Sequence, residues 1–260
     1  MKSEFPKNFR VSEILSFIFG GTQMFTQDHF IWLGAIAAVI ATALIIIKKY
    51  NLPNNAVKKV AMVLLILIKI FHWSLSMKES SHGGFILTQS QIAFHLCGLM
   101  IYAIIATHII KNEKAINVLQ SFIVPCTILG ATMALLIPTA GVEFARARVW
   151  EYMLCHAVLI FYGLDLLIIE KVDLSFKAFV TNLKLLAGTA LFAFFMNSAL
   201  EEYGPNFFFL RQPPMENLPI LNLNNGWNVY IITLAIIACT LLFLIHLPFI
   251  IRDKRRMRLK

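Results

Sequence analysis

Seven long apolar blocks, separated by short polar or charged loops, make up most of this sequence. A helix needs about 20 mainly apolar residues to cross a bilayer. Lipid offers the backbone no hydrogen-bond partners, so blocks of this length cross as helices. They are apolar throughout rather than striped at helical spacing, which marks helices surrounded by lipid or by one another. Of the 260 residues 58% are hydrophobic and only 14% charged, more apolar surface than a soluble domain of this size can hide. The expected fold class is therefore all-α: a polytopic membrane protein with seven transmembrane helices, one domain over residues 1–260 without internal repeat.

The predicted spans run from about His29 to Ile47, Lys58 to Met77, Ser90 to Ile110, Ala115 to Ile137, Val149 to Ile169, Phe176 to Leu200 and Trp227 to Ile251. Pro125 is expected to kink the fourth, because it has no N–H for the preceding turn. Within residues 1–28, MKSEFPKNFRVSEILSFIFGG places charges on both sides of a short apolar run. That makes a poor signal peptide and a better amphipathic segment lying on the membrane surface. Residues 252–260, RDKRRMRLK, form a basic tail. The net charge of +9 does not point to nucleic acid as a partner, because the basic residues crowd helix ends and the tail. One set of ends holds 14 Lys and Arg and the other 7, with Lys69 and Lys184 inside spans. The positive-inside bias puts the C-terminus in the cytoplasm and, with seven spans, the N-terminus outside.

Under that topology the polar residues at membrane depth gather at the outer end. His29 opens the first span, Lys69 and His72 close the second, and His95 and Cys97 lie in the first turns of the third. His156 is about two turns into the fifth, and Asn197 one turn from the end of the sixth. Glu143, Arg146, Arg148, Glu201, Glu202, Asn206 and Arg211 fill the outer loops, while the inner half offers little beyond Asp165, Lys184 and His246. Ionisable groups at this depth are costly unless paired or hydrated, so the asymmetry indicates a polar chamber open to the outer leaflet. Lys69 either snorkels outward or pairs with Glu201 or Glu202. Arg146 and Arg148 act as interfacial anchors or contact anionic headgroups.

All four cysteines, Cys97, Cys126, Cys155 and Cys239, fall inside apolar blocks, so they read as free thiols rather than a disulfide framework. His95 and Cys97 are two residues apart, about 200° around a helix, and do not share a face. If Cys97 is a nucleophile its base comes from another helix. His156 suits by depth, and the neighbouring Cys155 is the alternative thiol. No HxxxH or HxxE pair sits on one helix face, and neither a metal nor a cofactor is expected.

The segments FTQDHF (25–30), FHLCGL (94–99), His156 and NSALEEYGPNFFFLRQPP (197–214), followed by Trp227 and Tyr230, resemble the YwaF family of seven-span bacterial membrane proteins. That family is similar to a eukaryotic multi-span protein proposed to be a cysteine-dependent acyltransferase making polyunsaturated ether phospholipids. The resemblance implies a bacterial cytoplasmic-membrane location, with Cys97 as nucleophile and His156 as catalytic histidine. Cys155 departs from the pattern, which has a small polar residue such as Ser before the histidine. The function expected is a membrane-embedded acyltransferase acting on a phospholipid or lipoprotein. In it His156 moves the proton, His95 supports the site, and Asn197 or Asn206 stabilises the oxyanion. Arg146 and Arg148 hold the phosphate, and His29, Lys69, Glu201 and Arg211 complete the substrate-binding set. Membrane lipids are the expected partners. The alternative is a transporter or receptor whose ligand pocket uses the same residues, against which the lack of a repeat counts.

Overall fold

The computed structural model describes residues 25–79, 85–86, 94–214, 218 and 220–258. Most of the amphipathic segment expected over residues 1–28, and residues 90–93 of the third predicted span, lie outside them. The helices are α1 (Gln27–Tyr50), α2 (Asn54–Ser76), α3 (Leu96–Ile109), α4 (Glu113–Leu136), α5 (Ala147–Asp165), α6 (Phe176–Ala199) and α7 (Trp227–Arg258). A π-helical turn, Leu166–Glu170, continues α5. Between α2 and α3, β1 (Lys78–Glu79) pairs antiparallel with β2 (Phe85–Ile86) over two residues each.

Helix ends follow local chemistry. The side chains of Thr26, Asn112 and Ser175 accept backbone N–H groups of the first turns of α1, α4 and α6, satisfying donors that have no partner inside the helix. Asn51 ends α1 in the left-handed conformation (φ 47°), returning its N–H to Ile47. The basic tail is not a separate segment, because α7 runs on through it to Arg258.

Among the described residues six helices are long and apolar enough to span a membrane, and α3 is the shorter exception. Its 14 residues reach about 21 Å, less than the ~30 Å of hydrocarbon. The expected start near Ser90 is corrected: α3 begins at Leu96, and His95, extended, is its N-cap. Aromatic contacts explain the late start. Phe94 packs edge-on to Phe192 and Phe207, and His95 packs against Phe207 and Phe209.

At the centre is α4, with 56% of its span buried against 11% for α6. Its residues Phe122, Ile123, Val124 and Cys126 join Leu65 of α2, Met100 and Ile104 of α3, and Leu159 and Tyr162 of α5 in the main core. Gly163 lets α5 approach α4 closely, for a Cβ there would stand 2.3 Å from Thr127 Oγ1. Pro125 lies within α4, which runs unbroken through it. Proline cannot supply the N–H that the Ser121 carbonyl would otherwise receive. Asn182 of α6 supplies it instead, donating Nδ2 to that carbonyl at 2.7 Å. The same Nδ2 meets His246 Nε2, so the opposite ring nitrogen, Nδ1, donates to the Leu174 carbonyl.

Candidate polar site at the helix ends

Where α2 finishes and α3 and α5 begin, two polar stripes face each other. Lys69, His72 and Ser76 follow at i, i+3 and i+7 on α2, and Arg148, Glu151 and Cys155 do the same on α5. Such spacing puts each trio on one helix face, and these two helices are extensively packed. Arg148 donates to Ser76 Oγ and, at 2.8 Å, to His72 Nδ1. Glu151, only 7% exposed, lies 3.1 Å from His72 Nδ1 and 3.4 Å from Arg148. The guanidinium, half-buried, is thus engaged by α2 and by Glu151 of its own helix. His72 Nε2 stays buried without a partner among the described residues.

Lys69 forms no ion pair among the described residues. It lies within electrostatic reach of Cys155, Glu151 and Arg148, and of His95 on α3. The expected pairing with Glu201 or Glu202 is not made, because Glu201 bonds Arg211 at 3.2 Å and Glu202 is exposed. The ammonium is thus near the Cys155 thiol and makes no ion pair among the described residues.

Cys97 is the second residue of α3, nearer its start than expected, where the unpaired N–H groups of a helix's first turn favour negative charge. Its sulfur packs on α4, with a Cβ built on Gly130 falling 3.4 Å from Sγ. Cys97 and Cys155 lie within electrostatic reach of each other and of Tyr152. His156 is buried, packs tilted against Tyr152 with ring centroids 4.3 Å apart, and bonds the Tyr152 carbonyl through Nδ1 at 2.7 Å. That bond makes Nδ1 the protonated nitrogen and leaves the Nε2 lone pair as the basic end. The four cysteines are free thiols. Among the described residues no three His, Cys, Asp or Glu side chains gather as metal ligands.

A rigid loop borders this region. Phe208 and Phe209 hold left-handed backbones (φ 57° and 56°), strained for bulky residues and kept only where surroundings dictate them. Asn197 clamps Phe207 from both sides, donating Nδ2 to its carbonyl and accepting its N–H on Oδ1. Asn206 folds the next turn by bonding the backbone of Arg211 and Gln212. Tyr230 and Trp227 donate to the Phe209 and Leu210 carbonyls. Asn197 and Asn206 are thus committed to backbone, and what they present to the site is the aromatic wall against His95. His29 is also structural, taking the Phe25 N–H on Nδ1 and donating Nε2 to the Leu135 carbonyl at 2.7 Å. Arg146 stays on the rim beside Glu143. The Glu143 carboxyl is held below the ordinary carboxylate range by its own backbone N–H, then by Arg146.

The fold and this cluster define a polytopic α-helical membrane protein with thiols, histidines and the Lys69 ammonium set at its helix ends. The TMEM164 family model matches residues 24–246, and the chain belongs to that family. Comparison with curated proteins finds no match, and comparison with solved structures finds none.

Proposed function

We propose that this protein is a membrane-embedded acyltransferase that carries an acyl chain on a cysteine, with the site end of the bundle facing outside. The observation that supports this most is that Cys97 and Cys155 lie within electrostatic reach of each other and of Tyr152, the residue whose ring and carbonyl hold His156 with Nε2 unprotonated. Cys97 is the nucleophile, placed at the start of α3 where the helix terminus favours a thiolate. His156 Nε2 takes the Sγ proton as sulfur attacks the ester carbonyl of a phospholipid or lipoprotein. When the tetrahedral intermediate collapses, the carbon–oxygen bond breaks and the leaving alkoxide receives that proton from His156. The acceptor hydroxyl then gives its proton to His156 and attacks the thioester. The thiolate leaves and is reprotonated by His156, so the cycle closes without other reactants. Lys69 is the cation for the lipid phosphate or the oxyanion, since Arg148 is tied to Ser76, His72 and Glu151.

The test is hydroxylamine-sensitive acyl label on the purified protein after incubation with labelled phospholipid. Wild type takes up label; Cys97→Ala folds normally and takes up none; His156→Ala loses at least about 100-fold in labelling rate. Label that survives in Cys97→Ala and disappears in Cys155→Ala transfers the nucleophile to Cys155. Label absent from wild type itself ends the covalent mechanism.

A further inference from the structure

At the far end of the bundle, α5 closes on Asp165 and gives way to the π-helical turn Leu166–Glu170. Such turns collect at functional sites. Asp165 is 1% exposed, and neither carboxylate oxygen has a hydrogen-bond partner among the described residues. Lys58 of α2 lies within electrostatic reach of Asp165 but makes its ion pair with Glu170. That pair is itself sheltered, its side chains 10% and 18% exposed. One turn before Asp165, Tyr162 spends its hydroxyl on Thr107 of α3 at 3.5 Å. His108, next on α3, keeps Nε2 buried and without a partner among the described residues, within electrostatic reach of Lys58 and Lys59. The charged residues that neighbouring helices bring to this end, Lys48 and Lys49 of α1 and Glu113 and Lys114 of α4, are exposed.

Three charges therefore share one buried corner: the acids Asp165 and Glu170 and the single base Lys58. If Asp165 is ionised, the trio carries a net negative charge, and the unbonded carboxylate lies in low dielectric, where a lone charge is most expensive. A proton on Asp165 neutralises the trio and leaves the Lys58–Glu170 pair intact. Leu65, Met100, Ile104 and Leu159 of the core separate this corner from the thiols, so it is a distinct site.

We propose that Asp165 is a proton-binding site, a neutral carboxylic acid held in the folded bundle beside the Lys58–Glu170 pair at the π-helical turn. Proton uptake closes this end of α5, and proton loss loosens it. Because the acid form belongs to the folded state, the stability it confers is full at low pH. That stability is lost as pH rises far enough to strip the proton.

The experiment is reversible unfolding of the intact protein in lipid nanodiscs between about pH 4 and about pH 7, a window that starts at the ordinary carboxylate range. Wild type should lose stability as pH rises from the acid end, and Asp165→Asn, whatever its absolute stability, should lose that slope. A flat wild-type profile, or a slope that persists in Asp165→Asn, overturns the proposal. If Asp165→Asn does not fold, infrared difference spectra of wild type after an upward pH jump decide. Loss of a protonated-carboxyl band supports the site, and absence of any such band overturns it. Repeating the measurement at the upper end of that window in sodium chloride and in choline chloride separates proton from metal cation. Equal stability in the two salts is expected, and stabilisation by sodium alone would assign Asp165 to a metal cation instead. None of these readings depends on the thiols, so the site and the acyltransferase mechanism stand or fall separately.

Discussion

Replacing Gly163 with alanine probes the contact that locks α4 to α5 between the two polar ends. The new Cβ would stand 2.3 Å from Thr127 Oγ1 and 3.0 Å from Ile128 Cγ1, whereas comfortable contacts begin near ~3.5 Å. Thr127 and Ile128 are β-branched and stiff at χ1, so the helices must part by about 1 Å. Overpacking of this kind costs about 1–3 kcal/mol, and two clashes on stiff neighbours place it near the upper bound. Alanine in place of glycine within a helix returns up to about 1 kcal/mol. The net loss is about 2 kcal/mol, roughly a 30-fold fall in the folded-to-unfolded ratio. Reversible unfolding in detergent or nanodiscs measures it. Thr127→Ala removes the closer obstacle, a hydroxyl bonded only to the Ile123 and Val124 carbonyls of its own helix, and alone costs about 0.5–1 kcal/mol. In the Gly163→Ala background it should recover about half of the loss, because Ile128 still obstructs. Full stability of Gly163→Ala, or strict additivity of the two changes, would refute this packing.

Asn197→Ala strands the buried N–H and C=O of Phe207 and should cost about 2–4 kcal/mol, with faster proteolysis in the 201–214 loop. A protease pattern like that of wild type would sink the clamp. Asn224→Cys, in the exposed turn before α7, should react in intact cells with a thiol reagent that cannot cross membranes. Reaction only after lysis would put the site end in the cytoplasm.

The helical class was legible because it rests on block length alone, and the six long helices follow the apolar blocks closely. The start of α3 was not. An apolar run such as FHLCGL looks helical from its first residue by composition, and only the tertiary contacts of Phe94 and His95 with Phe207 and Phe209 show why the helix waits until Leu96. At the site end, depth groups Lys69, His72, Cys97 and His156, but depth says nothing about partners. Glu151 passed unnoticed as a residue of the span's opening turn, although its i, i+3, i+7 spacing with Arg148 and Cys155 matches that of Lys69, His72 and Ser76. The Asn197 and Asn206 motif was visible as an unusual pattern, yet pattern alone could not distinguish an oxyanion donor from a backbone clamp. The far end looked sparse because Lys58 counted only towards topology and nothing in the sequence singled out Glu170 or Asn182. Their importance comes from who they meet.

Pro125 has a consequence for how the chain is made. The carbonyl it leaves unpaired, on Ser121, is satisfied by a residue 61 positions later, in a helix that does not exist when α4 leaves the ribosome. Until Asn182 arrives, α4 carries an unmet carbonyl at membrane depth, which favours a water-lined or protein-lined resting place over open lipid. The central helix of the finished bundle is therefore one whose insertion is completed only when a later helix, α6, arrives. A mutation of Asn182 would thus act during biogenesis, on the half-built protein, before any effect on the mature one could be seen.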